Sequence, residues 1–344
     1  MKSLENKYYN TAFSHIYVED AVKEHPRTKR ILAKFPKAEC VAIHHYKDVF
    51  CRKGQSFEYQ HQAPALILAA KQGRLVYEGA KVCQSFGNEN FYYTSCVMNC
   101  IYDCEYCYLK GMYPSGNLVI FVNLEDVFAE VEELLQKQDV YLCVSYDTDL
   151  MALEDITGFV REWVEFTKRH KNLRIEIRTK CGRKDLWGLL SPVQQVIYAF
   201  TLSPEQVVRE YENRTASLQE RIDCAALAQQ KGFSVRLCFD PMIYCPDWKM
   251  HYGEMIAQVQ KDIDISKVYD ISIGSFRISK DYLKKMRKNA PNSAVVQFPY
   301  ENHGGVYQYP VEIMEEMEQF LLESWKKVLP EEKIFRWDSG EKDE

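Results

Sequence analysis

From residue 88 onward the chain alternates between two hydrophobic periods. Apolar runs of strand length occur at 91–94, 118–122, 141–146, 173–178, 196–202, 234–239 and 268–273. Between them apolar residues recur at helical spacing over 124–137, 155–170, 217–231 and 247–261. Strand followed by helix, repeated, predicts right-handed βαβ units and a parallel sheet. About six such units suggest a full or partial barrel, with its chemistry at the C-terminal ends of the strands.

The first 85 residues do not share this rhythm and read as an N-terminal extension packed on the barrel. A charged helical stretch is expected near 18–35, with short strand-like runs at 40–45 and 64–70. The barrel unit is expected over 86–330, and 331–344 as a C-terminal tail whose acidic end, 338–344, is solvated.

The formal net charge of −5 gives no global basic field, so any nucleic-acid site has to be a local patch. Twelve cysteines raise the question of a disulfide scaffold. The N-terminus has no apolar signal core, and 344 residues is far larger than such scaffolds. Four of the cysteines crowd into 96–107, too close for independent bridges. No stretch has the length of a membrane-spanning helix. A reducing, cytoplasmic compartment is expected. Cys40, Cys51, Cys181, Cys224, Cys238 and Cys245 then read as buried free thiols.

Cys100, Cys104 and Cys107 form a C-x3-C-x2-C run just after the first strand of the regular part. Iron–sulfur clusters are usually held by four Cys thiolates. A tight motif supplying three leaves one iron open to an external ligand. Zinc is the rival, and a structural zinc site would need a fourth protein ligand, for which Cys96 has tolerable spacing.

This spacing, with an aromatic residue (Tyr106) just before the last cysteine, resembles the radical S-adenosylmethionine superfamily. The resemblance implies a 4Fe-4S cluster whose open iron chelates S-adenosylmethionine, and a partial (β/α)6 TIM-like barrel with C-terminal hairpin and helix elements. Further blocks narrow it. Cys104-Glu-Tyr-Cys107-Tyr108-Leu109, Ile120-Phe121-Val122-Asn123, Asp149, Ile177-Arg178-Thr179-Lys180, Gly274-Ser275-Phe276-Arg277 and Tyr307-x-Tyr309-Pro310 resemble, in order and rough spacing, the spore photoproduct lyase family, its clostridial branch in particular. That family reverts a methylene-bridged thymine dimer in ultraviolet-damaged spore DNA. The implied mechanism starts with hydrogen abstraction from the saturated thymine by a 5′-deoxyadenosyl radical. The bridge then breaks, and a protein thiol gives a hydrogen atom to the thymine radical. A tyrosine pair, matched here by Tyr106 and Tyr108, relays hydrogen back. Implied partners are damaged DNA and an electron donor such as flavodoxin or ferredoxin. A cytoplasmic monomer in the spore core is the expected setting.

One segment departs from the family pattern. Aligning Asp149 puts Tyr146 where bacillus-type enzymes carry their donor cysteine. Cys83, matching a cysteine of the clostridial branch, is the preferred donor, with Cys143 as the alternative. A regular strand would put Cys143 on the face opposite Tyr146, since three residues is an odd step.

Lys180 matches a position that contacts S-adenosylmethionine, and Thr148 and Thr201 fall where the family uses small hydroxyl residues on the cofactor. Residues 277–288 hold six basic side chains against one acid, a pattern suited to phosphate contacts. Arg277 is the best placed of these. Tyr307 and Tyr309, beside Gly304-Gly305, are expected in a hairpin that supports a flipped lesion. The rival readings are a radical enzyme with another nucleic-acid or protein substrate, a non-catalytic metal- or DNA-binding module, and a paralogue with weak repair.

Overall fold

The computed structural model describes residues 13–80 and 83–337. Its centre is an eight-stranded sheet whose strands lie in chain order: β1 (Val76–Glu78), β2 (Phe91–Thr94), β3 (Val140–Cys143), β4 (Leu173–Thr179), β5 (Val196–Thr201), β6 (Ser234–Met242), β7 (Ile271–Ser275) and β8 (Ile334–Arg336). Every neighbouring pair from β2 to β8 is parallel, and β1 joins β2 antiparallel. No pairing of β1 with β8 closes the sheet among the described residues. This is the open, parallel form of barrel that strand–helix alternation predicts.

β4 shows how the sequence sets the two faces. Leu173, Ile175 and Ile177 are fully buried on one side. Glu176 and Arg178, at the intervening positions, line a central cavity. The apolar side is covered by helices α1 (Leu124–Leu135), α2 (Phe159–Lys168), α3 (Leu218–Gln230) and α4 (Trp248–Asp262). Phe128 of α1 stacks on Phe166 of α2 at 4.2 Å between centroids. Ser217 and Glu220 close a capping box at the start of α3. The helix expected over 155–170 is broken at Gly158, whose φ of 68° ends a short turn, Glu154–Thr157, before α2 begins.

The extension is more entangled with the rest than a segment packed on a barrel. Strands Glu39–Ile43, His15–Glu19, Leu66–Ala69 and Leu118–Phe121 form a parallel sheet in that order, extended antiparallel by Val97–Met98. Leu118–Phe121, expected as a barrel strand, thus pairs with Leu66–Ala69 instead. Periodicity identifies a buried strand but not which sheet it joins. The charged stretch near 18–35 contains a shorter helix, Pro26–Leu32, preceded by the strand His15–Glu19.

At the C-terminal side Arg277–Ser279, Glu301–His303 and Val306–Gln308 form an antiparallel sheet. Gly304 and Gly305, with φ of 56° and 90°, make its hairpin turn, a conformation that favours glycine. Helices α5 (Lys280–Asn289) and α6 (Val311–Lys326) flank it. The acidic end at 338–344 lies outside the described residues. No helix among the described residues is long and apolar enough to cross a membrane.

Candidate active site

A cavity of about 630 Å3 opens inside the sheet and gathers residues from five of its strands, β2 to β6, and from neighbouring loops. Cys100, Cys104, Cys107, Tyr106, Tyr108, Thr148, Lys180, Thr201, Arg277 and Cys83 all line it. Tyr307 does not, and its ring lies under the Arg287 guanidinium at 5.7 Å. Tyr309, its companion in the expected hairpin, is buried, and its hydroxyl accepts from the Tyr244 amide at 3.0 Å.

The cysteine loop is held by short-range bonds. Asn99, with φ of 71°, donates to the Ser115 and Asn117 carbonyls at 2.7 and 2.6 Å. Asp103–Cys104 pairs antiparallel with Glu212–Asn213. Burial pushes all three thiols up, Cys104 to about 12. Cys107 and Cys104 add to the rise of Cys100, and Cys107 to that of Cys104, while Lys180 pulls Cys104 and Cys107 the other way. No three acidic, cysteine or histidine side chains among the described residues converge on one point as a single ion would require. A lone zinc holds each thiolate at about 2.3 Å and would need that convergence, whereas a four-iron cube binds each thiolate at a different corner. Cys96 is buried away from the cavity and is not a fourth ligand. Three thiols bordering a cavity, with an inward hydroxyl group (Thr148 Oγ1) that is buried and lacks a partner, fit a cluster and its organic ligand.

Lys180 is not the solvated loop residue its position allows. Its Nζ lies 2.6 Å from the Tyr106 hydroxyl, 3.0 Å from Glu212 Oε1 and 3.8 Å from Cys104 Sγ. Glu212 also takes Arg221 at 2.5 Å and Ser203 at 2.8 Å, and Tyr106 donates to it. Burial alone would raise the Glu212 carboxyl, but Arg221 and Lys180 hold it well below the usual carboxylate range. Burial would lower Lys180, yet Cys104 and Glu212 keep it above its ordinary value and charged. Sequence reading missed Glu212 and Arg221. Their spacing from the cysteines, over a hundred residues, carries no local signal.

Tyr106 and Tyr108 flank Cys107, but their hydroxyls point into separate networks. Tyr108 OH lies 2.8 Å from the Tyr146 carbonyl and 3.2 Å from Asp147 Oδ1, whose partner oxygen accepts from Tyr113 at 2.8 Å. Cys83 Sγ lies 3.6 Å from Tyr146 OH. Tyr146 stacks on Tyr93 at 4.0 Å and sits 6.1 Å from the Tyr108 ring. Cys143 lines the same cavity as Tyr146, contrary to the alternation expected for a strand over 141–146. β3 ends at Cys143 and the chain turns after it, so the face count no longer applies.

Asp149 pins this turn by accepting from Thr179 Oγ1 at 2.8 Å and from the Lys180 and Ala152 amides at 2.7 and 3.1 Å. Arg277 forms a two-pronged pair with Asp240 at 3.0 and 3.1 Å and stacks on Trp337 at 4.5 Å. It is therefore engaged within the wall. Of the remaining thiols, Cys181, Cys224, Cys238 and Cys245 are buried as expected, whereas Cys40 and Cys51 are exposed.

The sequence profile described as Spore photoproduct lyase matches residues 12–337. A spore photoproduct lyase of Clostridium acetobutylicum is 25% identical over 241 residues, covering 66% of this chain and 70% of its own. That of Bacillus subtilis is 17% identical over 288 residues, covering 81% and 82%. A crystal structure of a spore photoproduct lyase double variant with bound AdoMet and dinucleoside spore photoproduct superposes with a TM-score of 0.79. It is 17% identical, covering 96% of this chain and 99% of that one. At that identity the likeness establishes a shared fold, a mixed α/β partial barrel. The match along nearly the whole chain, on a fold that brings the three motif thiols to one cavity, means that this chain belongs to the spore photoproduct lyase family.

Proposed function

We propose that this protein reverts spore photoproduct in ultraviolet-damaged DNA to two thymines by radical chemistry. The observation that carries the reading is one cavity bordered at one end by Cys100, Cys104 and Cys107 and at the other by the Cys83–Tyr146 pair. Cys100, Cys104 and Cys107 would hold a 4Fe-4S cluster, which together with bound S-adenosylmethionine would supply the hydrogen-abstracting radical. Lys180, charged and within reach of Cys104, is placed for the cofactor carboxylate as a point charge. Thr148 and Thr201 offer hydroxyls beside it. Cys83, kept as a neutral thiol by burial, is the hydrogen-atom donor to the substrate. Tyr108, whose hydroxyl lies 2.8 Å from the Tyr146 carbonyl, returns hydrogen, and Tyr106 fixes Lys180.

DNA approaches over α5. Lys280, Lys284, Lys285 and Lys288 are exposed and, among the described residues, without an acidic partner, while Tyr282 of the same helix lines the cavity. A lesion with damaged stacking is cheaper to extrude into such a pocket. We further propose that Arg277 and Tyr307 steady the substrate from the adjoining sheet. The chain would act as a monomer in the cytoplasm of the spore core and draw its electron from flavodoxin or ferredoxin.

The test is anaerobic reconstitution followed by addition of dinucleotide spore photoproduct. Thymidylyl-thymidine should appear in step with consumption of the lesion, read by liquid chromatography and mass spectrometry. Reductive cleavage of S-adenosylmethionine with the lesion left intact would overturn the substrate assignment.

A further inference from the structure

Along β4 the cavity-facing side chains at 176 and 178 are about 6.6 Å apart in backbone rise, and Lys180 follows directly after the strand. Lys180 belongs to the cysteine end, through Cys104. Arg178 belongs to the other end, where its charge acts on Cys83, Cys143 and Asp240. Its Nε donates to Glu176 Oε1 at 3.2 Å, and its amide is tied to Ser145 Oγ at 2.7 Å, so the guanidinium is anchored. The two terminal nitrogens, Nη1 and Nη2, make no hydrogen bond among the described residues. With 32% of its side chain accessible, the fork faces the cavity.

The charges around it are already matched. Arg236 is paired with Glu176 at 2.5 Å and Asp270 at 2.7 Å, and Arg277 with Asp240 at 3.0 Å. Arg178, Arg236 and Arg277 thus balance Glu176, Asp240 and Asp270 at this end of the cavity. A balanced group with free N–H donors suits a neutral acceptor. A further anion, such as a phosphodiester, would leave it negative overall and would have to be desolvated more deeply than the rim requires.

Resting on the function proposed above, we infer that Arg178 is a substrate-positioning residue that hydrogen-bonds a pyrimidine carbonyl of the lesion and so holds the thymine radical against Cys83. A planar fork with fixed donors is suited to this in a way a lysine point charge is not.

The experiment uses the cluster-loaded enzyme with S-adenosylmethionine and no reductant, titrated calorimetrically with dinucleoside spore photoproduct, beside steady-state repair kinetics. Arg178→Met should raise Kd and KM roughly ten-fold or more, the loss of a charged donor's hydrogen bond, with a smaller fall in kcat. Arg178→Lys should fall between the two, and melting temperature and iron content confirm that each variant is folded. Wild-type Kd and KM in both folded variants would overturn the assignment. Failure of the unaltered enzyme to bind the lesion would instead overturn the substrate reading, and this inference with it.

Discussion

A thiol can give up a hydrogen atom only while it is protonated. Burial pushes the Cys83 thiol upward, although Tyr146, Arg178 and Arg277 pull the other way. Cys83→Ala should leave the thymine radical without its donor. Mass spectrometry should then find adducts and side products where the unaltered protein yields clean thymidylyl-thymidine. Unchanged clean repair would move the role to Cys143 or Tyr146. Glu212 makes a separate case at the same scale. It is buried against Arg221, itself fully buried, and also receives Lys180, Tyr106 and Ser203. Glu212→Ala leaves two cations buried beside the cysteine loop. Removing one partner of such a pair costs about 3–5 kcal/mol, so the melting temperature should drop by several degrees. Both residues differ in legibility. Cys83 stood out through a resemblance, while Glu212 sits in an unremarkable Tyr-Glu-Asn run and acquires meaning only through its neighbours.

The short helix Phe57–Gln62 belongs to the N-terminal part yet supports the cysteine loop. His61 of that helix stacks on Phe57 at 5.3 Å, and its Nε2 lies 3.0 Å from the Tyr102 carbonyl. Burial lowers its pKa, against the pull of Asp103 and the Tyr102 carbonyl. The folded form therefore keeps His61 neutral where the unfolded chain, at about 6.5, takes up a proton. The stabilisation it contributes is complete above pH 6.5 and is lost as pH falls through the folded-state value. Melting curves from pH 7.5 downward should show this loss, and His61→Gln should flatten it. Elements of this kind were only partly legible. Strand β4 follows from its alternation, Leu173, Ile175 and Ile177 against Arg174, Glu176 and Arg178, and β5 from a continuous apolar run, as a parallel strand buried on both sides reads. The early end of β3 and the break at Gly158 come from contacts and backbone angles that no run of side chains announces.

At the scale of the whole molecule, a net charge of −5 conceals a basic face. Lys280, Lys284, Lys285 and Lys288 are exposed on α5, beside the cavity that Tyr282 lines. If these lysines meet phosphates, log K against log salt should have a negative slope that shrinks by roughly 0.9 for each lysine lost. Lys284→Ala with Lys285→Ala, followed by fluorescence anisotropy on lesion-bearing duplex, checks this. A slope identical to that of the unaltered protein would show that the face does not touch the backbone. Arg277, placed in this patch by its position in the sequence, is drawn off it by Asp240.

The amino-acid sequence by itself determined the class of fold and the close grouping of Cys100, Cys104 and Cys107. Three cysteines within eight residues leave little conformational freedom, and the hydrophobic periods reflect burial that each strand and helix must satisfy locally. Tertiary structure alone decided which sheet takes Leu118–Phe121, which acids neutralise Lys180 and Arg277, and which face Cys143 shows. These depend on pairings between residues far apart in the chain, and such partners are chosen by geometry and desolvation after the backbone has folded.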